Sequence, residues 1–455
     1  MSYFTPLFRP ALVASLVCLA SFVACRDAGP PQAPEPAEPA EVRVADGDRQ
    51  VALAGHPLPS PIVAKVVDAA GEPMSGVKVF WHVDEGTLRP DYSLTDAEGQ
   101  ARSIWTLGQT EGEVAARAET PGAAPAVFTA VAEPPNVLPF DELRPLPIST
   151  YDGSGQVVHP DYAASPEGPA GPHHLAITPY PFGNAAWENP SLFVGGSMDR
   201  WQLAAGARNP VARPILGYLS DPDLVYLPET HELWLYYRQV TTHNIVQLIR
   251  SADGVIWSAP AELVRVPNHG LISPAVVRRS PNDWWMWSVN AGTDGCGAAA
   301  TSVELRRSTD GMKWTDPVTI DLVQPGYSPW HIDVQWIPSR QEFWAIYNGK
   351  TPGSCTTPAV FLATSPDGVS WRAQEWPVLA KGRVPQFNDI VYRTTFDYDP
   401  VTDAITFWYS GARYNGTQYV WSAAVERRRR SDVFAPALAA TGPFPPAPAP
   451  LVEWP

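Results

Sequence analysis

Cysteine is scarce in this chain. There are four in 455 residues, two of them within the first 25, so no dense disulfide framework and no Cys-rich zinc site organises the fold. Positive charge is also short: 32 Lys and Arg stand against 47 Asp and Glu, a formal balance of −15. Phosphate binding needs a basic face, so nucleic acid is excluded as the expected partner. The run of apolar and small residues at 11–24 is too short to span a bilayer of ~30 Å as a helix. Proline, by contrast, is abundant, at 51 positions, more than twice the usual ~5%. It breaks helix interiors, which rules out long bundles and coiled coils. Hydrophobic residues make up 45%, enough for a sizeable core and too many for wholesale disorder. The composition predicts an all-β chain of more than one domain.

The first segment is an export signal. Arg9 is the only charge before Cys25, and the run ALVASLVCLASFVA after it has the length of a signal-peptide core. It ends in Phe22-Val23-Ala24-Cys25, which resembles the lipobox of bacterial lipoproteins. The resemblance implies cleavage after residue 24, lipidation of Cys25 and a mature protein held at a membrane, at the cell surface or in the periplasm. Residues 25–41 are a Pro/Ala/Glu spacer without apolar periodicity. In an oxidising compartment the remaining pair, Cys296 and Cys355, invites a disulfide.

Residues 42–133 change texture to short alternating segments with turn signals. Strands are expected at 62–67, 77–83, 103–107, 113–118 and 126–131, which suggests a β-sandwich. The phrases VVDAAGEPMSGVKVFWHVDEG and SLTDAEGQARSIWTLG are similar to the bacterial Ig-like (Big-1) repeats of invasin- and intimin-type surface proteins. Their Asp and Gly positions are turn chemistry, and nothing there suggests catalysis. Residues 134–170 read as a second linker.

A repeat dominates the remainder of the chain. SADGVIWS, STDGMKWT and SPDGVSWR place Trp257, Trp314 and Trp371 at intervals of 57 residues, and 15 of the 18 tryptophans fall between 187 and 421. In S-x-D-G-x-x-W the Asp caps turn amides, Gly takes the left-handed position and Trp packs between sheets. Asp253, Asp310 and Asp367 are therefore structural. Such a period, with several strands per unit, predicts a propeller over 171–432, five-bladed with a shortened first unit near Glu188. Cys296 and Cys355 fall in equivalent loops of neighbouring blades. Arg427–Arg430 read as a solvated edge, and 433–455 as a Pro/Ala-rich tail.

The segments ENPSLF and SDPDLVY, the Trp boxes and the aromatic second strands resemble five-bladed propeller glycoside hydrolases of families 43, 32 and 68. That resemblance implies a sugar site where the inner strands begin, carrying a base, a tuning Asp and a Glu acid. On this pattern Asp221 is the base, and Asp333 or Glu188 the acid or tuner. His331, Arg393 and Asp389 would contact hydroxyls, and Trp187 and Trp330 would stack on sugar faces. Ser273 stands where the resemblance leads one to expect the third acid. No cofactor and no metal ligands are assigned, although His331 leaves open a structural ion in the channel, as in some family 43 relatives. The expected function is an exported, lipid-anchored glycoside hydrolase acting on extracellular poly- or oligosaccharide. The alternatives are a non-catalytic glycan-binding propeller and a surface adhesin or scaffold.

Overall fold

The computed structural model describes residues 37–134 and 138–434. Strands account for nearly all its regular structure, beside four short 3-10 turns and one five-residue helix at Arg430–Phe434. The signal segment, Cys25, most of the first linker and the tail beyond 434 lie outside the described residues. Among the described residues no helix is long and apolar enough to cross a membrane.

Residues 41–133 form two stacked sheets. One pairs Glu41–Asp46, Ile62–Val67, Gln100–Thr106 and Thr87–Arg89; the other runs Gln50–Leu53, Ala126–Glu133, Gly112–Glu119, Lys78–Val83 and Tyr92–Leu94. Alternate residues point inward, so Ile62, Ala64 and Val66 of the first sheet share a core with Trp81, Ala118 and Phe128 of the second. The turns behave as their residues demand. Asp68 accepts the amides of Ala70 and Glu72, both at 2.9 Å, ahead of the left-handed Gly71.

The rest is a ring of five sheets, each meandering outward from the axis. The innermost strands are Val157–Ala164 in blade 1, Tyr218–Leu227 in blade 2, Ile272–Ser280 in blade 3, Ser328–Ile337 in blade 4 and Ile390–Asp399 in blade 5. Each packs against the next, and the fifth returns to the first, which makes a closed β-propeller. Blade 5 completes its outer edge with Arg144–Pro145, a strand that precedes blade 1 in the chain.

Blade 1 is a full four-stranded sheet and not a shortened unit. Its inner strand lies inside the stretch expected to be linker, because VVHPDYAA carries no Trp box or aromatic partner to announce it. The boxes occupy equivalent corners. In each, the Ser hydroxyl receives the Gly amide and the Asp receives two amides, as with Val255 and Ile256 on Asp253 at 2.8 and 2.7 Å. Trp257 packs into the core shared by blades 1 and 2, Trp314 into that of blades 2 and 3, and Trp371 into that of blades 3 and 4.

The arginine run is no solvated edge. Arg427 is 3% exposed. It donates to both carboxylate oxygens of Glu133 at the end of the sandwich, and to Thr402 Oγ1 at 2.8 Å. Phe140 lies under the guanidinia of Arg427 and Arg429, 4.6 and 4.5 Å from its ring centre. Arg428 reaches the Val378 carbonyl, and Arg430 pairs with Asp403 at 2.7 Å. The sandwich is thus docked on blade 5 through a buried ion pair.

Candidate functional site

All five inner strands break register at the same height, one turn of pleat below their start. In three of them the residue at the break has a left-handed backbone without being glycine: His159 (φ 54°), Asp221 (φ 49°) and Ser273 (φ 51°), each followed by proline. Such residues are costly, and proteins keep them where the surroundings fix a side chain for use. A bulge re-aims side chains, and here it brings residues from separate blades to the channel axis.

The upper cluster joins His159, Asp221 and His331, whose donor atoms lie within 4.8 Å of one another. Asp221 Oδ1 is 3.4 Å from His159 Nε2 and 3.2 Å from His331 Nδ1, and its Oδ2 forms an ion pair with Arg238, 2.8 Å from Nε. Ser273 donates to Asp221 Oδ1 at 3.2 Å, and its hydroxyl is 2.6 Å from His331 Nδ1. On the other side of His159, Nδ1 is 3.8 Å from Glu188 Oε2, which receives the Ser220 hydroxyl at 2.5 Å. Glu188, His159, Asp221 and His331 are each less than 5% exposed. Tyr392 closes the ring, 4.4 Å centre to centre from His331 and 5.4 Å from His159.

Burial sets the charges. It pushes Glu188 up to about 8, so this carboxyl holds its proton at neutral pH. It pushes both imidazoles down, His159 strongly, and so keeps them neutral. Burial would also raise Asp221, but the Arg238 guanidinium, with a hydrogen bond from His331, holds it well below the ordinary carboxylate value. Two neutral imidazoles and one carboxylate form a donor set suited to a divalent first-row metal. The fit has a second sign: Nε2 of both His159 and His331 is buried without a hydrogen-bond partner.

Two residues further along each strand lies a lower cluster of Asp161, Asp223 and Asp333 around Arg393. These act as staples between blades. Asp161 accepts the Leu224 amide at 2.7 Å, Asp223 the Val276 amide at 3.1 Å, and Asp333 the Thr395 hydroxyl at 2.8 Å. Arg393 donates to the Pro222 carbonyl and to Asp161 and lies 3.9 Å from Asp223. Burial raises all three carboxyls, Asp161 to about 8. They line a cavity of about 430 Å³ with Arg278, Arg279 and Trp336 that opens at the far end of the strands.

Of the expected site residues, Glu188, Asp221 and His331 converge. Asp333 and Arg393 belong to the lower cluster, so Arg393 meets carboxylates and a carbonyl instead of sugar hydroxyls. Asp389 accepts the Tyr414 amide at 2.6 Å, away from both clusters. Trp330 is half-buried with its edge on His331, 5.7 Å between ring centres, and Trp187 is exposed beside Glu188. Cys296 and Cys355 form a disulfide between the rim loops of blades 3 and 4. Sequence reasoning missed His159, Asp161 and Arg238. The signal for the first two was present: H-P-D at 159–161 repeats the D-P-D of 221–223.

No family model matches the chain. A Flavonifractor plautii protein named A type blood N-acetyl-alpha-D-galactosamine deacetylase is 28% identical over 331 residues, 62% of this chain and 41% of the relative. The chain therefore spans about two fifths of that protein's length. The crystal structure of an N-acetylgalactosamine deacetylase from F. plautii with blood group B trisaccharide matches with a TM-score of 0.60 at 21% identity, covering 64% of this chain and 96% of that one. A GH62 hydrolase solved with xylotriose matches with a TM-score of 0.45 at 12% identity, over 62% and 94% of the two chains.

Proposed function

We propose that this chain is a glycan-acting enzyme that hydrolyses the N-acetyl group of an amino sugar at the upper end of the propeller channel. The observation that carries it is the meeting of His159, Asp221 and His331 with the protonated Glu188 in one buried cluster. The deacetylase relative supports the choice of bond. Glycoside hydrolysis, the expectation from sequence, fits less well. It needs two carboxyls flanking a sugar bond. Here Glu188 and Asp221 sit at the two nitrogens of one imidazole, so the His159 ring fills the space between them.

His159, Asp221 and His331 would hold a divalent metal, which when bound supplies a Lewis acid toward an amide carbonyl and an acidified water. Arg238 and Ser273 fix the Asp221 carboxylate, and the serine also positions the His331 ring. Glu188 is the carboxyl in the pocket that no guanidinium holds within ion-pair distance among the described residues. Its role is to give its proton to the leaving nitrogen and to take one back from the attacking water. The balance is simple: water oxygen joins the acetyl carbon, the C–N bond breaks, and acetate and the free amine leave. A second reading, a structural cation beneath a non-catalytic glycan site, is favoured by the near-complete burial of the three donors.

The reading includes location. The apolar run 11–24 with its lipobox-like end, and a disulfide in the propeller, support export and anchoring through Cys25. The D-x-x-G turns of 42–133 support a bacterial Ig-like module. Acetate release from N-acetylated amino-sugar glycosides by the full chain, with wild type compared with Glu188→Gln, tests the activity. Loss of acetate production in the variant is expected. Cleavage of the glycosidic bond with the acetyl group intact, or no acetate from any glycoside, would overturn it.

A further inference from the structure

Beside Glu188 the chain places two aromatic rings, Trp187 and Tyr151, inclined at 43° to each other, that the chemistry at Glu188 does not use. Trp187 is 40% exposed and immediately precedes the buried Glu188. The backbone that carries this indole is held in place. The Tyr151 hydroxyl donates to the Trp187 carbonyl at 2.7 Å, and the two rings lie 5.9 Å apart. Asn189 Nδ2 in turn donates to the Tyr151 hydroxyl at 2.8 Å, and the Arg213 guanidinium covers the tyrosine ring at 5.3 Å. Asn189 is itself 4% exposed, and its Oδ1 has no hydrogen-bond partner. An exposed indole on a hydrogen-bonded backbone, a guanidinium over the neighbouring tyrosine ring and a buried acceptor without a partner together suit the apolar face and hydroxyls of a pyranose ring.

We infer that Trp187, Tyr151, Asn189 and Arg213 form a subsite for the sugar next to the one whose acetamido group reaches Glu188. The substrate is then an oligosaccharide bearing a terminal amino sugar, and not the free monosaccharide. The inference rests on the upper pocket being the glycan site. Tyr151 lies in the stretch between the sandwich and blade 1, so that segment completes the site as well as joining two domains.

The test uses full-length Glu188→Gln protein and calorimetric titration with two probes, the methyl glycoside of N-acetylgalactosamine and a trisaccharide ending in the same sugar. The trisaccharide should bind about tenfold more tightly, the order expected of one well-formed ring stack. Trp187→Ala in that background should bring the ratio close to one, and Trp187→Phe should restore most of it. A ratio that Trp187→Ala leaves unchanged, or no preference in the parent, would overturn the subsite. The two readings fail separately. If wild type releases no acetate but trisaccharide binding still depends on Trp187, the subsite stands and deacetylation falls. If acetate is released and the ratio ignores Trp187, the reverse holds.

Discussion

Removing divalent metal from the protein and returning it should move thermal unfolding by a measurable and specific amount. The three donors come from blades 1, 2 and 4, at positions 159, 221 and 331, so the unfolded chain offers no comparable site. Binding to the native state alone stabilises by about 2.7 kcal/mol when free metal is 100-fold above Kd and about 4 kcal/mol at 1,000-fold. For a domain of this size each kcal/mol moves Tm by roughly 2–4 °C. A chelator-treated sample should therefore gain about 5–16 °C on addition of zinc, manganese or nickel, read by scanning calorimetry. The informative control is His331→Gln, which removes one imidazole and leaves the Arg238–Asp221 pair intact. Asp221→Asn is a poor control, since stripping the partner from buried Arg238 costs about 3–5 kcal/mol whether or not a metal binds. A wild-type midpoint indifferent to all three metals would refute the donor-set argument, as would a His331→Gln protein that responds as strongly as wild type.

Two further outcomes are expected. Glu133→Ala strands the buried Arg427 guanidinium and should cost about 3–5 kcal/mol in denaturant unfolding; a loss below ~1 kcal/mol would show that the sandwich hangs free of the propeller. Burial, with Asp399 nearby, raises the Asp397 carboxyl to about 7, so the folded state keeps a proton that the unfolded chain gives up near pH 4. The contribution of this carboxyl to stability then falls between about pH 4 and 7, and Asp397→Asn should be as stable as wild type at pH 4 and more stable at pH 8, by about 2 kcal/mol for this partly exposed group. Parallel stability curves across that range would contradict the assignment.

Much of the architecture could be read directly because it is local. The S-x-D-G-x-x-W phrase encodes a turn whose hydrogen bonds close within six residues, so its three copies reported equivalent corners without any knowledge of the ring. The apolar, β-branched runs at 62–67 and 126–131 likewise announced strands that the structure contains. Blade 1 escaped notice because its inner strand lacks both the box and the aromatic partner strand. With it went His159 and Asp161, although H-P-D and D-P-D share a register break.

The site was legible only in fragments. Glu188, Asp221 and His331 drew attention as polar residues at strand starts, but spacing along a strand cannot say which end of a channel a carboxylate serves. Asp221 and Asp223 are two residues apart, and the bulge between them sends one to the imidazoles and the other to Arg393. The same break separates His331 from Asp333. The arginine run failed for a related reason: Arg427 looks solvated until Glu133, 294 positions away, is brought against it.

The amino-acid order alone determined the β-rich composition, the turn-by-turn repeat and the division into a sandwich and a longer repeating unit. These depend on contacts between near neighbours. Closure of five sheets around one axis decided which carboxylates are held by arginine, which imidazoles stay neutral and which acid keeps a proton. Burial and charge pairing arise only when distant segments meet.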